Sequence, residues 1–70
     1  MEKELGLKIR TRRKLLGLTQ RELSEYAEIS INTLTKIERG EGNPTINVLI
    51  KILDILGLKL TADIIPTPKS

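Results

Sequence analysis

Cysteine, histidine, tryptophan and phenylalanine are all absent from this 70-residue chain, which has a single tyrosine, Tyr26. Without cysteine no disulfide can staple the fold. Without cysteine and histidine there is no Ser-His-Asp or Cys-His nucleophile arrangement, and no zinc site of the usual kind. A carboxylate pair survives that count, but Asp54 and Asp63 stand isolated. So short a chain also offers little depth for a substrate pocket of roughly 300–1,000 Å³. The residues read as no enzyme, and no cofactor or metal is expected. No apolar run approaches the roughly 18 residues of a membrane span. The start, Met1-Glu2-Lys3-Glu4-Leu5, is charged and mixed, unlike a secretory leader. A cytoplasmic protein of one domain at most is expected.

What is present is charge and aliphatic bulk. Lys plus Arg number 12 and Asp plus Glu 9, for a net charge of +3. The charge is unevenly placed: Lys8, Arg10, Arg12, Arg13, Lys14 and Arg21 follow one another with no acid between. Such a run is either a solvated helix face or a phosphate-binding flank. The rest of the chain has to decide between them.

Four helical segments can be read. The first runs from about Glu2 or Leu5 to Leu16 and stops near Gly17, with Leu5, Ile9 and Leu16 near one face. The second is capped by Thr19, with Glu22 three residues on completing a capping box, and runs to about Ala27. Ser30 caps the third, which ends at Glu38 or Arg39 before Gly40, with Leu34 and Ile37 as its inward pair. A loop rich in Gly, Asn and Pro follows, and Thr45 caps a fourth helix from Ile46 to Leu56, closed by Gly57.

The fourth helix has one polar stripe, Asn47, Lys51 and Asp54, and is otherwise apolar. A helix like that is buried on nearly all sides. Three short helices cannot cover it, so a second subunit is expected as the cover. From Leu58 to Ile65 the pattern changes to period two, with Leu58, Leu60, Ala62 and Ile64 alternating with Lys59, Thr61 and Asp63. This reads as a single strand, whose backbone groups need a partner. Pro66 and Pro68 end it, leaving a flexible tail over 66–70.

Only Glu28 and Ile29 separate the second helix from the cap of the third, which is the spacing of a helix-turn-helix. Ile9-Arg10-x-x-Arg13, Gly17-Leu18-Thr19-Gln20, Glu22-Leu23, Ser30, Ile37-Glu38-Arg39-Gly40, Pro44-Thr45 and Leu56-Gly57-Leu58 occur in that order. Each piece alone is weak, and the ordered set over about residues 5 to 58 is specific. It resembles the XRE family, the helix-turn-helix fold of phage Cro proteins and lambdoid repressors. The expected fold is mostly α: a lambda-repressor-like bundle of about four helices over 1–57, then a dimerisation strand over 58–65 pairing across a homodimer. Its interface would draw on Ile50, Leu53, Leu58, Leu60, Ala62 and Ile64.

The resemblance implies roles position by position. Family base contacts fall at Ile31, Asn32, Thr35 and Lys36. Asn32 suits adenine N6/N7, Lys36 suits guanine O6/N7, and the methyl groups of Thr35 or Ile31 suit thymine. Gln20, Ser30, Thr33, Arg39 and Asn43 are the phosphate candidates, Gln20 also orienting the recognition helix. Asn32 and Thr33 have a plainer reading as first-turn residues supporting the cap, and Lys36 as a solvated lysine. Arg13 and Glu38 match positions that pair structurally across helices in the family. Arg10 and Arg12 stay open between DNA and structure, and Tyr26 reads as a packing or rim residue. Two departures stand out. Glu28 occupies the turn position where the family has Gly and a left-handed backbone, and Ser24 replaces the usual Ala at the helix crossing. The implied function is a sequence-specific transcriptional regulator, a repressor at the nucleoid, bound to a double-stranded operator. The terminal strand resembles that of HipB-type antitoxins, which implies an autoregulated operon and a kinase-like toxin partner. The alternative is a helix-turn-helix interaction module without specific DNA binding.

Overall fold

Residues 3–59 are described by the computed structural model. Among them the chain forms α1 (Lys3–Leu15), α2 (Gln20–Ala27), α3 (Ile31–Glu38) and α4 (Ile46–Ile55). The last three begin where the sequence supplies a hydroxyl cap. Thr19 Oγ1 accepts the Glu22 N–H at 3.0 Å, and Glu22 Oε1 accepts the Thr19 N–H at 2.9 Å. Ser30 Oγ accepts the Thr33 N–H at 3.0 Å, and Thr45 Oγ1 accepts the Val48 N–H at 3.2 Å. Each cap is worth about 1 kcal/mol.

Caps alone do not hold these helices. Helices α2 and α3 have eight residues each, short of the roughly 12–15 at which an isolated helix persists in water. Packing decides. Leu5 and Ile9 of α1 meet Leu23 and Ala27 of α2, Leu34 and Ile37 of α3, and Leu49, Ile52, Leu53 and Leu56 in and after α4. A fully buried Leu or Ile contributes about 1.5–3 kcal/mol, more than any cap. Helix α3 sits between α1 and α2, and α2 also packs on α4.

One inward assignment differs from expectation. Leu16 is 45% exposed. Helix α1 ends at Leu15, and Gly17 turns left-handed with φ 73°. The buried stripe of α1 instead runs Leu5, Ile9, Arg13, at intervals of four. Helix α4, as its apolar surface implied, is not covered all round within the protomer. Leu49, Ile52 and Leu53 face inward, while Ile46 and Ile50 are half exposed. Leu53, expected between subunits, is 2% exposed and belongs to the protomer's own core. Leu58 packs on the same core, its N–H donating to the Leu53 carbonyl at 2.8 Å. Leu58 and Lys59 are not in a strand. The remainder of the expected strand, with Leu60, Ala62 and Ile64, and the tail over 66–70 lie outside the described residues. Among the described residues no helix is long and apolar enough to cross a membrane.

Two backbone sites fix how the helices meet. Glu28 adopts φ 58° and ψ 41°, the left-handed geometry expected of the turn, and its N–H donates to the Glu25 carbonyl at 3.1 Å. Buried Gly6 lets α1 lie directly on the end of α3. A Cβ there would press on the Ile37 carbonyl and fall 2.8 Å from the Glu38 carbonyl oxygen.

Candidate nucleic-acid interface

Helix α3 turns Leu34 and Ile37 into the core. Its outer surface is therefore set by the residues between them. Asn32, Thr33 and Lys36 are exposed, and Ile31 and Thr35 are half buried at its flanks. Asn32 and Lys36 are one turn apart on the same side. The four residues expected at bases thus share one continuous face. Ser30 caps the start of that face, and its hydroxyl also donates to Thr33 Oγ1 at 2.9 Å. Arg39 and Asn43, beyond the far end, are exposed.

A buried polar cluster holds α3 in place. Arg13 donates to Glu38 twice, Nε to Oε2 at 2.7 Å and Nη2 to Oε1 at 3.2 Å. Its third nitrogen, Nη1, donates to the Leu18 carbonyl at 2.8 Å. The two side chains are 8% and 3% exposed. Gln20 Nε2 donates to Glu38 Oε1 at 3.1 Å, and Thr35 Oγ1 donates to Gln20 Oε1 at 3.5 Å. One carboxylate therefore joins α1, the start of α2 and the end of α3. Among the described residues no buried side-chain nitrogen or oxygen lacks a partner. That matters because a stranded charge at such a site is costly.

Gln20 has a second amide hydrogen. Gln20 also lines a concavity bordered by Arg10, Thr19, Thr35 and Arg39. This surface joins the outer side of α3 to the N-terminus of α2, where backbone N–H groups and the helix dipole favour an anion. Thr33, Lys36 and Asn43 border a second hollow at the loop after α3. The basic run of α1 divides accordingly. Arg13 is structural. Arg12 is also structural, donating through Nε to the Leu56 carbonyl at 2.8 Å, where it satisfies the end of α4. Arg10 remains exposed on the concavity.

Three contributions were missed in the sequence. The partner of Arg12 is a carbonyl 44 positions away, and no local pattern points to it. Gly6 sits within a helix, where glycine looks like a simple weakness. Lys51, assigned only to a polar stripe, donates to Glu28 Oε1 at 2.8 Å and ties α4 to the turn. The hydrogen bond and charge of Lys51 hold the Glu28 carboxyl below its ordinary pKa of 4.5. Ser24, at the helix crossing, is buried and its hydroxyl donates to the Arg21 carbonyl at 2.8 Å. Tyr26 is 62% exposed, on the rim.

A short helix, a three-residue turn with one left-handed position, and a second helix with a polar outer face define a helix-turn-helix domain. The chain belongs to the XRE-type helix-turn-helix family, whose model matches residues 9–62. It is 34% identical over 53 residues to the cryptic phage CTXphi transcriptional repressor RstR of Vibrio cholerae, covering 76% of this chain. It spans 47% of the length of that repressor. Among solved structures, the clp gene regulator ClgR of Corynebacterium glutamicum matches with a TM-score of 0.78 at 32% identity, over 89% of this chain and 78% of that one. The biofilm master regulator SinR, in complex with DNA, matches with a TM-score of 0.71 at 34% identity, over 79% and 89% of the two chains.

Proposed function

We propose that this protein is a sequence-specific DNA-binding transcriptional regulator that lays α3 in the major groove of an operator. One observation carries the reading: the exposed Asn32, Thr33 and Lys36 stand on a helix that a buried Arg13–Glu38–Gln20 cluster fixes in orientation. Groove reading needs such rigidity, because a displaced donor loses its base partner. Ile31, Asn32, Thr35 and Lys36 take base edges. Gln20, Ser30, Thr33, Arg39 and Asn43 take phosphates, and Arg10, on the same concavity as Gln20, joins them. RstR is a transcriptional repressor and SinR is seen with DNA, which favours this reading over an interaction module without DNA.

A homodimer follows from the same function. Ile46 and Ile50, one turn apart on α4, are 51% and 50% exposed. Two copies joined about a twofold axis set their α3 helices about 34 Å apart, one turn of the duplex. Of the interface residues read from the sequence, Ile50 remains available on the surface. An antitoxin role rests on the ending after Lys59, outside the described residues.

The test is selection of bound duplexes from a random pool. A palindromic consensus, bound with an affinity that falls steeply with salt, is the expected result. Recovery of no consensus would return the chain to the interaction-module reading.

A further inference from the structure

An apolar groove runs beside α1. Leu7, Thr11 and Leu15, at intervals of four on α1, line one side, and Leu53 and Leu58 line it from α4 and the residues after it. Its volume is about 430 Å³. Leu7 and Leu15 are 58% and 73% exposed. A leucine exposed singly on a surface means little, but leucines that share one groove with a polar rim mark a surface for another molecule.

The rim indicates which molecule. Every charged side chain lining the groove is a cation: Lys8, Arg12 and Lys59. Lys8 and Lys59 are exposed, and among the described residues neither has an ion-pair partner. Such a rim repels a second copy of the same groove and attracts carboxylates. The groove also lies clear of the candidate DNA surface. Lys8 and Arg10 are two positions apart on α1, about 200° round the helix, so Lys8 borders the groove while Arg10 borders the concavity beside α3. From Leu7 to Leu15 the apolar row spans about 12 Å, the length that roughly two turns of a facing helix cover.

We propose that the groove between α1 and the end of α4 is a docking site for another protein, which offers the apolar face of an amphipathic helix flanked by Asp or Glu. Aliphatic side chains one turn apart on that helix lie against Leu7, Thr11 and Leu15, and its acids face Lys8 and Lys59. This goes beyond the DNA-binding reading and does not rest on it.

The probe is a fluorescent helical peptide of about 16 residues, with Leu along one face and Glu on either side of it. Its twin carries Lys in place of each Glu. Both are titrated with the full chain at one salt concentration. The acidic peptide is expected to bind at least about tenfold more tightly than its twin. Leu15→Ser and Lys8→Glu, both at exposed positions, are each expected to weaken it by about tenfold. Arg21→Glu changes the net charge as much as Lys8→Glu, on exposed surface outside the groove, and is expected to weaken it far less. Circular dichroism melts check that each variant folds. Equal affinities for the two peptides, equal losses for Lys8→Glu and Arg21→Glu, or no loss for Leu15→Ser would overturn the proposal. So would no binding of the acidic peptide, which would show a groove closed from within the chain. Reduced self-association of Leu15→Ser in sedimentation equilibrium would assign the groove to a second copy and overturn it equally. The readout is peptide binding, so a failure of the DNA-binding reading leaves this result intact.

Discussion

Glu38 is the residue on which most of the geometry converges. It accepts two hydrogen bonds from Arg13 and one from Gln20 while nearly buried. Arg13→Ala strands that carboxylate, and breaking a buried pair from one side costs about 3–5 kcal/mol. Arg13→Ala is therefore expected to lower the urea midpoint sharply, with DNA affinity recovering at temperatures where the variant is folded. Normal stability with lost affinity would instead place Arg13 on the DNA. Glu28 poses a smaller question. Its left-handed backbone disfavours any residue but glycine, while its carboxylate bonds to Lys51 at the surface. Exposed pairs contribute little, so Glu28→Gly is expected to raise the Tm and Glu28→Ala, which keeps the strain and loses the bond, to lower it. The folded carboxyl titrates below its unfolded value of 4.5. Its contribution is thus present above that pH and lost as pH falls through the depressed folded value. The Tm difference between wild type and Glu28→Gln is expected to vanish on that acidification, which a pH series of melts would check.

At the scale of the element, much was legible because the signals are local. Thr19, Ser30 and Thr45 cap as their positions imply, and Glu22 closes its box. The ion pair of Arg13 and Glu38 followed from the family resemblance. What failed depended on contacts between elements. Leu16 fits the apolar face of a longer α1, but Gly17 ends that helix and turns the side chain outward. Leu53 reads as surplus apolar area only while the number of neighbours is unknown; in the structure it joins the protomer's own core, and the Leu58 N–H bonds to its carbonyl. Gly6 is the strongest case. Its value lies in the Ile37 and Glu38 carbonyls packed against its α-carbon, and no sequence pattern places them there. Gly6→Ala improves helix propensity by up to about 1 kcal/mol, yet overpacking costs about 1–3 kcal/mol. A net loss in denaturant midpoint is expected, and a gain would mean that α1 and α3 lie farther apart.

At the scale of the whole molecule, the buried cluster, the core and the outer face of α3 serve one geometric end. The core positions α3 between α1 and α2, and the cluster fixes its rotation. In the proposed homodimer, a twofold axis would supply the second half-site. Ile50→Asp places a charge on the exposed apolar side of α4, and sedimentation equilibrium is expected to show a shift toward monomer with operator affinity reduced through the lost effective concentration. An unchanged dimer would move the interface elsewhere. The central claim, that α3 reads bases, is tested most directly by Asn32→Ala. Its affinity is measured on the selected operator and on a scrambled duplex at one salt concentration. A lost base contact costs about 1–3 kcal/mol on the operator and little on scrambled DNA, so the ratio of the two affinities is expected to collapse toward unity. Equal losses on both duplexes, or none on either, would contradict the assignment of α3 as the recognition helix.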